Sequence, residues 1–299
     1  MTNRRVSHPA WEDWISVIKP RILAENLFCA FAGYCLASGW NVEYSSLIFM
    51  MVGTTLLIAS ASMMNNYLDR FRDLNMARTR NRPLPSGRLK PGNVLVAGIV
   101  AGFVGLVVLL VFVNPLCMVL GLIGLLVYAV IYTAWLKPTS TWSTSVGGIS
   151  GSMPPLIGYC SFSNELELGA WLLFFILFLW QPPHFWALGI LKKEEYRAAG
   201  YPLLPVAKGV RRTKIQMLPY VAALFPVNYL LFDHNYVGRS YLIVSSILLI
   251  IWFSKCVNGL MTKDETKWAA SNFRFSLYFL TMSFLMIMID TALWRQIYG

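Results

Sequence analysis

Charge is scarce in this chain. Only 13% of its 299 residues are charged, while 57% are hydrophobic. That is roughly half the charge expected of a soluble domain, and it excludes a water-exposed globule of this length. Cysteine is sparse too: Cys29, Cys35, Cys117, Cys160 and Cys256 are odd in number and never spaced as CxxC. This excludes a disulfide framework and a thiolate metal site, and leaves small buried hydrophobes. Of the three histidines, His8 and His234 read as surface residues and His184 lies in an apolar run. The first 20 residues hold Trp11, Glu12, Asp13 and Trp14 but neither a long apolar core nor a small-residue cleavage site. They are expected to form a cytoplasmic, amphipathic lead-in over 1–21, not a signal peptide.

Apolar runs of about 17–25 residues, long enough to cross a hydrocarbon core as helices, recur along the chain. Nine spans are expected, at 22–40, 46–66, 93–113, 116–136, 144–162, 169–190, 216–233, 240–258 and 275–295. The chain is read as one all-α, polytopic membrane domain over 1–299, its lipid bilayer being its solvent. The net charge of +11 follows topology and not nucleic acid. With the N-terminus in the cytoplasm, every lysine and arginine except Arg239 and Arg295 falls in an inner segment, as the positive-inside rule requires. The C-terminus is then outside, periplasmic in a bacterial inner membrane. The two long inner loops, after spans two and six, resemble each other through Arg82-Pro83-Leu84-Pro85 and Tyr201-Pro202-Leu203-Leu204-Pro205. This suggests an internal repeat.

Asn65, Asp69 and Asp73 are spaced four apart at the end of span two. On a helix they share one face. Two carboxylates and an amide oxygen make a hard site suited to Mg²⁺ shared with phosphates. Arg78, Arg80, Arg82, Arg88 and Lys90 follow, and arginines suit phosphate oxygens. A plain positive loop would explain the arginines but not the acid spacing.

The stretch from Asn65 to Gly87 resembles the signature of the intramembrane UbiA-type prenyltransferases: Asn65, Asp69, Asp73, Met76, Arg78, Thr79, Arg82 and Gly87 are in register. Arg72 stands where an apolar residue is usual, and Phe71 where some members carry a third acid, which leaves the number of metal ions open. Where many members have a second Asp-x3-Asp, this chain has Lys192 and Tyr196. The run Pro182-Pro183-His184-Phe185-Trp186 and the stretch Glu195-Tyr196 to Gly200 are similar to the heme O synthase branch. So is Tyr132-Thr133-Ala134-Trp135-Leu136-Lys137, with the Gly147–Gly158 stretch after it.

The resemblance implies a bundle of about nine transmembrane helices around a central cavity open to the cytoplasmic side. It implies transfer of farnesyl from farnesyl diphosphate to protoheme IX, with heme B as substrate and Mg²⁺ as the expected cofactor. Asn65, Asp69 and Asp73 would hold the metal. Arg78, Arg82, Lys137, Lys192, Lys193 and Glu194 would bind substrate, and Glu195 and Tyr196 would join the catalytic groups, the two glutamates as auxiliary acids. His184 would face the heme, as axial ligand or as partner to a propionate, or else be structural. Protein partners implied are a heme A synthase or terminal oxidase assembly. The rival readings are a prenyltransferase acting on a quinone or chlorophyll precursor, a transporter, and a heme-binding assembly factor without catalysis.

Overall fold

The computed structural model describes residues 10–298, and the side chains of 11–293. The expected lead-in before Ala10, with His8, lies outside the described residues. A short helix α1 (Ala10–Ile18) runs into α2 (Pro20–Ser38) and α3 (Tyr44–Asp69). Next come α4 (Pro91–Phe112) and α5 (Pro115–Leu126). The last continues as a π-helix over Val127–Leu136 and a final turn over Lys137–Thr139. Two short helices, α6 (Ser143–Gly151) and α7 (Met153–Ser163), precede the long α8 (Leu168–Leu191). The loop after it carries α9 (Lys193–Ala198) and α10 (Leu204–Ala207). The chain ends in α11 (Val210–Asp233), α12 (Arg239–Asn258) and α13 (Glu265–Tyr298). Among the described residues there is no strand.

Among the described residues, seven helices are long and apolar enough to cross a membrane: α3, α4, α5 with its extension, α8, α11, α12 and α13. The expected first and fifth spans are α2 and the pair α6–α7, so a count of nine is approximate. The fifth is not one rod. It breaks at Ser152 because Pro154 and Pro155 follow at once: their rings fit a helix's first turn but not its interior. The first span stops at Ser38 and not at residue 40, because Gly39 (φ 53°) and Trp40 (φ 67°) are left-handed. Helices α11 and α13 begin about six and ten residues before the apolar runs, since a helix continues through polar interfacial sequence where charge, not hydropathy, dominates.

The bundle is held by close backbone approach as well as by apolar side chains. A Cβ on Gly158 would lie 1.9 Å from the Ala30 carbonyl oxygen, and one on Gly33 2.2 Å from that of Pro155. Helices α2 and α7 therefore touch backbone to backbone, as small residues allow in membranes. Valines and phenylalanines of α4, such as Val96, Phe103 and Val111, face outward, the expected lipid side. All five cysteines are buried and free, in keeping with their reading as small hydrophobes. His234 is exposed.

Candidate active site

The C-terminal end of α3 is where the polar groups meet. Asn65 and Asp69 sit one turn apart on the helix, both buried. The helix stops at Asp69. Asp73 lies beyond it on a 3₁₀ turn, Asp73–Asn75, and not on the same helical face. The sequence leaves the apolar layer here, and Arg70, Phe71 and Arg72 supply no buried face to carry the helix on. Asp73 is nevertheless buried and folded back. Its backbone carbonyl accepts from Thr79 Oγ1 at 3.0 Å, and its carboxylate accepts from Arg82 at 3.1 Å. Gly87, at φ 75°, turns the loop where a side chain would be strained.

Four elements converge on Asn65 and Asp69. The amide of Asn65 donates to Asp69 Oδ2 at 2.8 Å and to Thr133 Oγ1 at 3.3 Å. Its oxygen accepts from Lys19 Nζ at 2.5 Å. Lys137 forms a salt bridge to Asp69 Oδ2, and the Tyr201 hydroxyl donates to Asp69 Oδ1 at 2.8 Å. The Lys137 ammonium also lies 4.9 Å from the centre of the Tyr201 ring. Thr133 and Lys137 come from the π-helical stretch and the turn after it. Wide π turns re-aim side chains and are frequent at functional sites. Burial first, and the Arg82 and Lys137 charges after it, pull the Lys19 ammonium down to about 7. Burial likewise pushes the Tyr201 phenol up.

The loop after α8 docks onto the loop after α3. Tyr201, Ala199 and Met76 form a small buried cluster, with Tyr196 packed against Tyr201 at 6.2 Å between ring centres. Lys192 donates to Glu195 at 3.0 Å. That bond, the largest favourable influence, holds the Glu195 carboxyl below the usual range, helped by the backbone of Arg78. The buried Glu195 Oε2 has no bonding partner among the described residues. Glu194 is exposed and pairs with Arg197, so it does not join the cluster; Lys193 is half-buried. His184 is brought elsewhere, into the seam between α8 and α13. Its ring stacks between Trp180 (4.4 Å) and Phe273 (4.5 Å), and Nδ1 lies 2.8 Å from Ser276 Oγ. The Ser276 hydroxyl donates to the Phe273 carbonyl at 2.7 Å.

Sequence reasoning gave Lys19, Thr133 and Tyr201 no role in the site, although Lys19-Pro20-Arg21 and the run with Thr133 resemble the family. Tyr201 was visible in the Tyr-Pro-Leu-Leu-Pro run, yet it reads there as a repeat and not as a site.

Among the described residues no three His, Cys, Asp or Glu side chains gather to hold a metal. The protein thus offers two carboxylates and an amide oxygen, too few for a closed cage. That donor set fits Mg²⁺, which takes oxygen ligands and completes its shell with phosphates and water.

Residues 26–280 match the model of the UbiA prenyltransferase family. The chain belongs to that family. One relative, protoheme IX farnesyltransferase 1 of Bacillus subtilis (strain 168), is 43% identical over 290 residues, covering 93% of this chain and 90% of the relative. Among solved structures, one described as digeranylgeranylglyceryl phosphate synthase superposes with a TM-score of 0.81 at 17% identity, covering 95% of this chain and 99% of that one. A UbiA homolog from Archaeoglobus fulgidus bound to GPP and Mg²⁺ has a TM-score of 0.66 at 15% identity, covering 92% and 99%. At these identities the likeness is one of fold. The chain is therefore a multi-pass membrane prenyltransferase of the UbiA family.

Proposed function

We propose that the chain transfers the farnesyl group of farnesyl diphosphate to a vinyl group of protoheme IX, with addition of water, giving heme O and diphosphate. The observation that carries this is the buried set of Asn65, Asp69 and Asp73 oxygens ringed by Lys19, Arg82 and Lys137. It stands in a chain so similar to curated protoheme IX farnesyltransferases. Farnesyl diphosphate and protoheme IX are the substrates, and a bacterial inner membrane with a cytoplasmic N-terminus is the setting. A heme A synthase or terminal oxidase assembly is the proposed recipient.

Asn65, Asp69 and Asp73 would hold Mg²⁺, which when bound would neutralise charge on the diphosphate. The rest falls to side chains. The allylic C–O bond breaks and its electron pair leaves with the diphosphate, so charge grows on the leaving oxygens. Lys137, Arg82, Arg78, Lys192 and Lys193 stabilise it there, where preorganised cations act most strongly. Glu195 orients Lys192, and Tyr196 supports Tyr201. Apolar helices keep water from the farnesyl cation, and aromatic faces steady it. The terminal carbon of the vinyl group gives its π electrons to the cation and forms the new C–C bond. The positive charge then rests on the carbon beside the pyrrole. Water adds its oxygen there, and its spare proton goes to the released diphosphate. His184, buried between the Trp180 and Phe273 rings and bonded to Ser276, packs the α8–α13 seam. Glu194 stays at the rim.

The test supplies the purified protein in nanodiscs with hemin, farnesyl diphosphate and Mg²⁺, and with 4-hydroxybenzoate in a parallel reaction. Mass spectrometry should find heme O in the first and no prenylated acid in the second. Prenylated 4-hydroxybenzoate with unchanged heme would overturn the reading in favour of a quinone-precursor enzyme.

A further inference from the structure

Helix α1 is fastened to the site. Asn66 Nδ2 donates to the Val17 carbonyl at 2.9 Å, and Arg88 Nε reaches both Asp13 carboxylate oxygens at 3.0 Å. The neighbouring Asn65 receives Lys19. Two adjacent asparagines of α3 thus hold the backbone and the side chain of one turn, at the junction of α1 and α2. The backbone at that turn is unusual. Lys19 is left-handed, at φ 55° and ψ 67°, directly before Pro20. A residue before proline favours extended backbone, and a non-glycine residue in the left-handed region is strained. Glycine would relieve that strain. The chain instead carries a lysine whose side chain reaches the site.

The cations around the two aspartates are not equivalent. Lys137 sits on Asp69 and Arg82 on Asp73, each matched by a carboxylate. Lys19 rests on the neutral carboxamide oxygen of Asn65. Of the three basic side chains, Lys19 is the one held by a neutral acceptor and not by a carboxylate. An ammonium in a polar pocket, held by a neutral acceptor, has more to gain from an anionic oxygen than from the amide. We propose that Lys19 is a diphosphate-binding residue, whose ammonium exchanges the Asn65 oxygen for a phosphate oxygen of the prenyl diphosphate. This rests on the reading of the site as one for a prenyl diphosphate. It makes the α1–α2 junction part of the substrate site, although it precedes the residues that match the family model.

The test measures binding, without turnover. Inorganic pyrophosphate with Mg²⁺ is titrated calorimetrically into the full chain in nanodiscs, as the wild type and as Lys19→Gln, Lys19→Met and Lys19→Arg. Glutamine keeps a donor for Asn65 and removes the charge; arginine keeps the charge. Lys19→Gln should bind pyrophosphate roughly 10- to 100-fold more weakly, the span of one charge-assisted hydrogen bond. Lys19→Arg should restore most of the affinity, and all variants should keep the wild-type melting temperature. Wild-type affinity in Lys19→Gln or Lys19→Met overturns the proposal. So does an equal loss in all three variants together with a lowered melting temperature, which marks a structural lysine. Failure of the wild type to bind pyrophosphate overturns the prenyl-diphosphate reading itself, a result distinct from wild-type affinity in the Lys19 variants.

Discussion

The pairing of Lys137 with Asp69 makes a quantitative prediction. The two side chains are only 14% and 5% exposed. Lys137→Met leaves the Asp69 carboxylate buried, with Tyr201 and Asn65 as its remaining donors. Asp69→Asn leaves the ammonium over the Tyr201 ring without its counter-charge. Removing one partner of a buried pair costs about 3–5 kcal/mol, because the other charge stays desolvated. Two independent losses would therefore sum to about 6–10 kcal/mol. The double variant removes both charges at once and should lose only about as much as one single variant. The cycle should then give a coupling energy of about 3 kcal/mol or more. Reversible unfolding in mixed micelles, followed by tryptophan fluorescence, measures it. Coupling below about 0.5 kcal/mol, the ordinary scatter of additivity, would refute the buried ion pair.

Three further outcomes are expected. Tyr201→Phe removes one hydroxyl bond to Asp69 while keeping the ring. At about 1.5–3 kcal/mol for a bond to a charged group, kcat/KM should fall roughly tenfold or more, and an unchanged value would reduce Tyr201 to a packing residue. Lys192→Ala, which frees Glu195, should raise the KM for farnesyl diphosphate; a wild-type KM would remove Lys192 from the site. Gly158→Val drives a side chain into the Ala30 carbonyl, and overpacking costs typically about 1–3 kcal/mol. The melting temperature should drop, and a wild-type melting curve would contradict the close α2–α7 contact.

The membrane bundle was legible because hydropathy and the asymmetry of lysine and arginine act over whole segments. Asn65 and Asp69 were legible because a four-residue spacing is a property of one helix. Contacts between distant segments were not. Tyr201 reaches Asp69 across 132 residues, and Lys19 reaches Asn65 across 46; no periodicity encodes either pairing. The π-helix over Val127–Leu136 was equally hidden, since its residues read as an ordinary apolar run. Asp73 shows the opposite limit. The spacing extends the helix to it, but an arginine-flanked exit from the apolar layer ends the helix at Asp69. Glu194 reads as a neighbour of Glu195, yet one residue's rotation about α9 turns it to solvent.

The central claim is that Asn65, Asp69 and Asp73 hold a divalent ion against a diphosphate. Mn²⁺ in place of Mg²⁺ makes that ion visible to electron paramagnetic resonance in the purified, nanodisc-embedded chain. Adding farnesyl thiodiphosphate should convert free Mn²⁺ to a bound signal in the wild type, and Asp69→Asn with Asp73→Asn should abolish the conversion. A bound signal of wild-type strength in that double variant would contradict the account.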